Sequence, residues 1–221
     1  MHYIMKVGPS ADNNHVVPQV ENMGPGYNWD APDSVTRISE NVPLAHAPNF
    51  HAFHLDPLTV LTDIISQSYI RARGLLVSPP FVRTLEEYQV QRHQLYEADV
   101  VLNGGRSEYY WMHMIEKAED SIDYANSAFR LESLEGGAGE AAAISSSEDL
   151  QETVKRLIET MEGRLKPSLL TFLSRDSLND LFCLDLPVRT FFLSSRLRDD
   201  LVSARLTGFA LVPTDLKVVS P

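Results

Sequence analysis

The sequence predicts an α+β fold: a single domain of two related strand–serine–helix–strand modules, with an antiparallel sheet packed by helices. Three observations predict it. Apolar runs at 75–77 and 191–193 each end at a Ser followed by residues at helical spacing. Two long strand-like runs flank Asn103-Gly104-Gly105, a composition that tolerates the positive φ of a tight hairpin. Apolar residues at 150, 154, 157, 158 and 161 form one helical stripe.

In chain order, residues 8–49 are rich in Pro, Gly, Asn and Asp, so 1–55 is expected to wrap over a core made by the rest, anchored by Tyr27 and Trp29. Asp56-Pro57 reads as a helix start, with Leu58, Leu61, Ile64 and Ile65 on one face of a helix at 57–67. The first module occupies 56–131. Gly74–Val77 is a strand, and Ser78 caps a helix whose first turn holds Pro79 and Pro80, where the missing N–H groups cost nothing. Strands at 94–102 and 107–115 follow. In the second, Tyr109, Trp111 and His113 alternate with Tyr110, Met112 and Met114, so both faces need cover.

Residues 132–147 read as an acidic Gly/Ala-rich loop between the halves. The second module spans 148–221. Ser145 with Glu148 forms a capping-box pattern for its first helix, and Gly163 is the expected stop. Arg189–Leu193 is then a strand, Ser194 a second helix cap, and Gly208 the left-handed stop before a strand at 209–212. Placing Ser78 on Ser194 puts Phe81 on Leu197 and Leu85 on Leu201.

Composition narrows the function. The chain has 221 residues, 43% of them hydrophobic, enough to bury a sizeable core. A single Cys excludes internal disulfides and a Cys-rich zinc site. No run suits a membrane helix or a secretory leader, so a cytoplasmic protein without membrane association is expected. The formal charge of −11, from 30 acidic and 19 basic residues, argues against nucleic acid and for a basic partner. The surplus concentrates at Glu132, Glu135, Glu140, Glu148, Asp149, Glu152, Glu159 and Glu162.

Candidate chemistry is sparse. Ser78 and Ser194 lack the small flanking residues of a nucleophile elbow, so each reads as a cap. His46, His51 and His54 with Asp56 are the only metal-like grouping, which leaves a metal-dependent hydrolase as the rival reading and a regulatory or scaffold domain as a third. The spacing matches no known zinc pair, so neither metal nor cofactor is expected.

Three stretches carry a likeness. They are LTDIISQSYIRARGLLVSPPFVRTL from Leu61, YYWMHMIEKAEDSIDYANSAF from Tyr109, and FFLSSRLRDDLVSARLTGFALVP from Phe191. Their order resembles the bacterial polymorphic-toxin immunity proteins of immunity family eleven, with Ser78, Trp111, Ser194 and Gly208 as the motif positions. The family often has Glu directly after the Ser. Pro79 and Ser195 stand there in this chain, so no role of that Glu carries over. The resemblance implies an α+β fold and a non-enzymatic protein that binds a cognate toxin stoichiometrically and occludes its active site or substrate groove. The acidic surplus makes a basic toxin domain the expected partner. Glu135, Glu140, Glu148, Asp149, Glu152, Asp199 and Asp200 are the candidate contacts, with Trp29 or Tyr27 as an aromatic anchor.

Overall fold

The computed structural model describes residues 2–8, 18–38, 42–50, 53–133, 139–174, 179–186, 188–214 and 217–219. Its strands in chain order are β1 (His2–Val7), β2 (Val20–Asn22), β3 (Phe53–Leu55), β4 (Ile64–Ile65), β5 (Gly74–Val77), β6 (His93–Leu102) and β7 (Gly105–Met114). β8 (Ala128–Glu132), β9 (Glu140–Ala142), β10 (Arg164–Thr171), β11 (Leu181–Leu186), β12 (Val188–Ser194), β13 (Phe209–Pro213) and β14 (Lys217–Val219) follow. The helices are α1 (Pro79–Leu85), α2 (Ser147–Thr160) and α3 (Ser195–Ser203).

The strands form three sheets, ordered β2-β3-β6-β7-β5-β4, β11-β12-β1-β13 and β14-β10-β8-β9. Most pairs are antiparallel; β3 with β6 and β10 with β14 are parallel. The fold is α+β, as expected. The β6–β7 hairpin closes through Asn103 (φ 51°) and Gly104 (φ 81°), with Leu102 opposite Gly105. Its loop therefore has two residues, both at positive φ, and Gly105 already belongs to the strand.

The two modules are related in detail. The order β4-β5-β7-β6 in the first sheet matches β11-β12-β1-β13 in the second. Register fixes the equivalences. Ile64 faces Val77 as Leu181 faces Leu193. Val77 faces Tyr110 as Leu193 faces Tyr3, and Leu75 faces Met112 as Phe191 faces Met5. Tyr110-Trp111-Met112 thus corresponds to Tyr3-Ile4-Met5. In the first copy the last strand follows in sequence. In the second it comes from the N-terminus, so the copies are circularly permuted. This corrects the expectation that all of 1–55 wraps the surface: 2–7 is an internal strand. The repeat itself runs through 63–114 and 180–213 with 2–7, which is narrower than the module boundaries expected from sequence.

The repeat explains the layering. Ile64, Leu75, Val77, Phe81, Leu85 and Met112 meet their counterparts Leu181, Phe191, Leu193, Leu197, Leu201 and Met5 in one buried central cluster. The outer face of the first sheet, with Trp111 and Tyr109, is covered by Met23, Tyr27, Val35 and Ile38 of the N-terminal segment. The outer face of the second, with Phe182 and Phe192, is covered by Leu165 and Leu170 of β10 and by Leu150 and Leu157 of α2. The alternation of β7 separates its residues between two of these clusters, as its sequence required.

Several other expectations are corrected. No helix forms at 57–67. The Asp56 carboxylate accepts Leu58 N at 2.8 Å and its carbonyl accepts Thr59 N at 3.0 Å, making a turn instead. The Gln19 side chain then donates to Val60 O at 3.1 Å, taking the place of a helical partner. Residues 132–147 are not simply a loop, because β8 and β9 pair as a hairpin across 134–138. The cap of α2 lies one residue later than expected: Ser146 Oγ accepts Asp149 N at 3.1 Å, and Asp149 reaches back to Ser145 N at 2.8 Å. Met161, at φ 54°, ends that helix ahead of Gly163.

Candidate functional site

The two serines share one arrangement. Ser78 Oγ accepts Phe81 N at 3.3 Å and donates to Asp63 Oδ1 at 2.7 Å. Ser194 Oγ accepts Leu197 N at 3.2 Å and donates to Asp180 Oδ1 at 2.6 Å. Each carboxylate then crosses to the other module. Asp63 Oδ2 accepts Thr207 N at 2.8 Å, and Asp180 Oδ2 accepts Gln89 N at 3.2 Å. These hydroxyls are held by a cap and a carboxylate, which is structural work. Gly208, at φ 90°, is buried against Ile64.

The acidic candidates fall into two groups on different layers. Glu148 and Glu152 lie one turn apart on the exposed side of α2, and Ser147 Oγ donates to Asp120 Oδ1 at 3.0 Å, bringing Asp120 beside them. Burial raises the phenol pKa of nearby Tyr124 well above the usual value, and the charges of Glu119, Asp120 and Glu148 add to the rise. Asp149 is spent on capping: hydrogen bonds from Ser145 N and Oγ hold its carboxyl below the usual range. Glu148 also sits low, held first by backbone and Ser146 hydrogen bonds at the helix start. Glu140 is exposed on β9. Glu135 lies outside the described residues.

Asp199 and Asp200 sit on α3, whose buried face joins the central cluster rather than the cluster under α2. Asp199 pairs with Arg198 at 2.6 Å, and that guanidinium stacks over the Tyr3 ring at 4.4 Å. Asp200 accepts the Tyr88 hydroxyl, while Arg196 lies 4.3 Å over the Tyr88 ring. Burial and then the Asp200 hydrogen bond push the Tyr88 phenol up to about 12. Both acids have partners within the chain, unlike an open anionic patch.

The aromatic anchors divide. Tyr27 is core: it is buried and its hydroxyl accepts Val35 N at 2.7 Å, which corrects its candidacy as a contact. Trp29 is 39% exposed and packs on Tyr27 and Tyr69 with ring centroids 4.8 and 5.2 Å apart. Trp111 is buried within the sheet.

His46 is exposed, His54 pairs in the β2–β3 ladder, and His51 lies outside the described residues. Among the described residues, no three His, Cys, Asp or Glu are grouped to hold a metal, and no helix is long and apolar enough to cross a membrane.

The sequence reading missed one exposed feature. The 56–62 turn shows Leu58, 77% exposed, together with Val60 and Leu61 to solvent. Its backbone is fixed by Gln19 and by Tyr109 Oη, which donates to Thr62 O at 2.7 Å. The helical spacing of those same leucines had assigned them to a core face. No protein-family model matches the chain, and no curated protein matches it either.

Proposed function

We propose that this chain is an immunity protein that binds a basic toxin domain stoichiometrically and blocks its active site or substrate groove, without catalysis of its own. The observation that carries the reading is the acidic face at the start of α2. Glu148 and Glu152 present carboxylates from a capped helix, and Asp120 is tied to its first residue through Ser147, so little freedom is lost when a cation-rich partner docks. The likeness of three stretches to immunity family eleven supports it.

Co-expression with the product of each adjacent gene tests the proposal, scored by rescue of growth and by co-purification. The Glu148→Lys/Glu152→Lys variant should weaken capture and flatten its salt dependence, with a melting temperature lowered only by the loss of the helix-start bonds of Glu148. Asp149 is left intact because it caps the helix. Failure of the chain to rescue growth from any neighbouring gene product sinks the immunity reading. Rescue that ignores the charge reversal at low salt sinks the acidic face as its interface.

A further inference from the structure

One module carries a cation where its copy has none. Four residues after each capping serine stands Val82 in the first module and Arg198 in the second. In the second, the Arg198 guanidinium lies 4.4 Å over the ring of Tyr3 and pairs with Asp199 at 2.6 Å. Tyr110 is the counterpart of Tyr3, since Val77 faces Tyr110 as Leu193 faces Tyr3. The first copy therefore keeps the ring and lacks the guanidinium.

The first copy also has acids that the second lacks. Glu97, directly opposite Tyr110, stands where Pro213 lies opposite Tyr3. Glu86, eight residues after its serine, stands where the second copy has Val202. Glu108 Oε1 accepts the Tyr110 hydroxyl at 2.5 Å. All three acids are exposed, and among the described residues none of them forms an ion pair. The Glu108 hydrogen bond raises the Tyr110 phenol pKa, burial and the charges of Glu108 and Glu97 add to the rise, and Arg83 opposes it. Space is present as well. A half-open cavity of about 330 Å³ beside α1 is lined by Val82, Glu86, Leu95 and Met112, among others. Leu95 and Met112 face each other two residues along from Glu97 and Tyr110, hence on the same side of the sheet. Leu95 is 41% exposed there.

We infer that this surface takes an arginine side chain presented by a basic partner. The guanidinium stacks on Tyr110 as Arg198 stacks on Tyr3, Glu86 and Glu97 supply the counter-charge, and the aliphatic stem covers Leu95. Three acids outweigh the one nearby cation, Arg83, so the field attracts such a group. The site belongs to a different layer from α2 and stands without the immunity reading.

Nα-acetyl-arginine methylamide is the probe, and its lysine analogue the control. By nuclear magnetic resonance, the arginine probe should shift the Tyr110 ring signals and the Leu95 and Met112 amide signals saturably, in the millimolar range. Added salt should weaken the effect. The lysine analogue should bind several-fold more weakly, because an ammonium has no plane to stack and no fork for carboxylates. Arg83→Ala should tighten binding. Val82→Arg, which gives the first copy the residue of the second, should fill the site from within and abolish binding. Glu86→Gln/Glu97→Gln changes only exposed positions, so it tests the site even where Val82→Arg disturbs the fold. It should weaken binding about tenfold, the loss of two exposed ion pairs. No saturable shift through the millimolar range overturns the inference. Equal affinity for the lysine analogue, unchanged affinity in Glu86→Gln/Glu97→Gln, or binding that survives both Val82→Arg and Tyr110→Leu overturns it equally.

Discussion

Asp63 ties the start of one helix to the end of the other: its carboxylate accepts the Ser78 hydroxyl at 2.7 Å and Thr207 N at 2.8 Å. Asp180 does the same in reverse, with Ser194 Oγ at 2.6 Å and Gln89 N at 3.2 Å. The two modules are therefore fastened by a matched pair of charged hydrogen-bond centres. Asp63→Ala and Asp180→Ala should each lower stability by about 2–3 kcal/mol, since hydrogen bonds to charged groups are the stronger ones. Ser78→Ala alone should cost about 1 kcal/mol as a lost cap. A double-mutant cycle of Asp63 with Ser78, followed by urea unfolding, should show coupling of at least about 0.5 kcal/mol. Strict additivity would contradict the lock.

Gly208 marks the crossing point of that lock. At φ 90°, its Cβ would lie 2.1 Å from Ile64 O. Both backbone strain and the clash with a main-chain oxygen oppose any side chain there. Gly208→Ala should cost more than about 2 kcal/mol, beyond the usual strain at such a φ. Gly104, at φ 81° but facing open space, is the control. Gly104→Asn should cost well under about 1 kcal/mol, because Asn tolerates that region. Thermal melts of the two variants should separate clearly, and equal shifts would count against the close approach.

The repeat was legible in the sequence wherever local chemistry decided the structure. A Ser before prolines, or before the Leu197–Leu201 spacing, caps a helix through bonds three residues long, and both caps formed as read. The hairpin was legible because Asn103 and Gly104 suit positive φ. What failed were segments decided by distant partners. Leu58 and Leu61 have helical spacing, yet Gln19, far away in sequence, holds Val60 O at 3.1 Å in a turn. Pairing of β1 with β12 and β13 joins residues separated by nearly the whole chain, so the N-terminal strand left no local trace. The acidic candidates were legible only as composition. Their division between α2 and α3 arises from packing, and so does the spending of Asp149 on a cap.

A buried ion pair holds the first module to the segment after β7. Arg73 and Glu119 are 4% and 3% exposed and meet through two bonds, at 3.0 and 3.1 Å. Arg73 O also accepts Met114 N at 3.0 Å, so the pair sits where β7 ends. Removing one partner takes two charged hydrogen bonds away from the group left in the interior. Arg73→Met or Glu119→Leu should each cost about 3–5 kcal/mol, whereas the double replacement should recover much of that loss. Urea midpoints of the three variants measure it. A double variant as unstable as the sum of the singles would show that the pair does more than neutralise itself.

His113 makes stability depend on pH in a definite direction. Its Nε2–H donates to Val42 O at 3.0 Å, and Nδ1 is buried without a partner among the described residues. Protonating Nδ1 would add a second buried donor. Burial accordingly holds the pKa below the ordinary 6.5, with the Val42 bond opposing only in part. His2, packed on Phe182 with centroids 5.9 Å apart, is shifted the same way, chiefly by burial. The folded state thus binds fewer protons than the unfolded chain just below pH 6.5. The contribution of these groups is complete above that pH and is lost as pH falls through 6.5 toward their folded values. One such histidine changes stability by at most about 1.4 kcal/mol per pH unit within that window. Urea unfolding from pH 7.5 to 5 should show this decline. His113→Leu should flatten part of the slope, whatever it does to stability at pH 7.5, and leave the share due to His2. An unchanged slope in that variant would mean that His113 is protonated equally in both states.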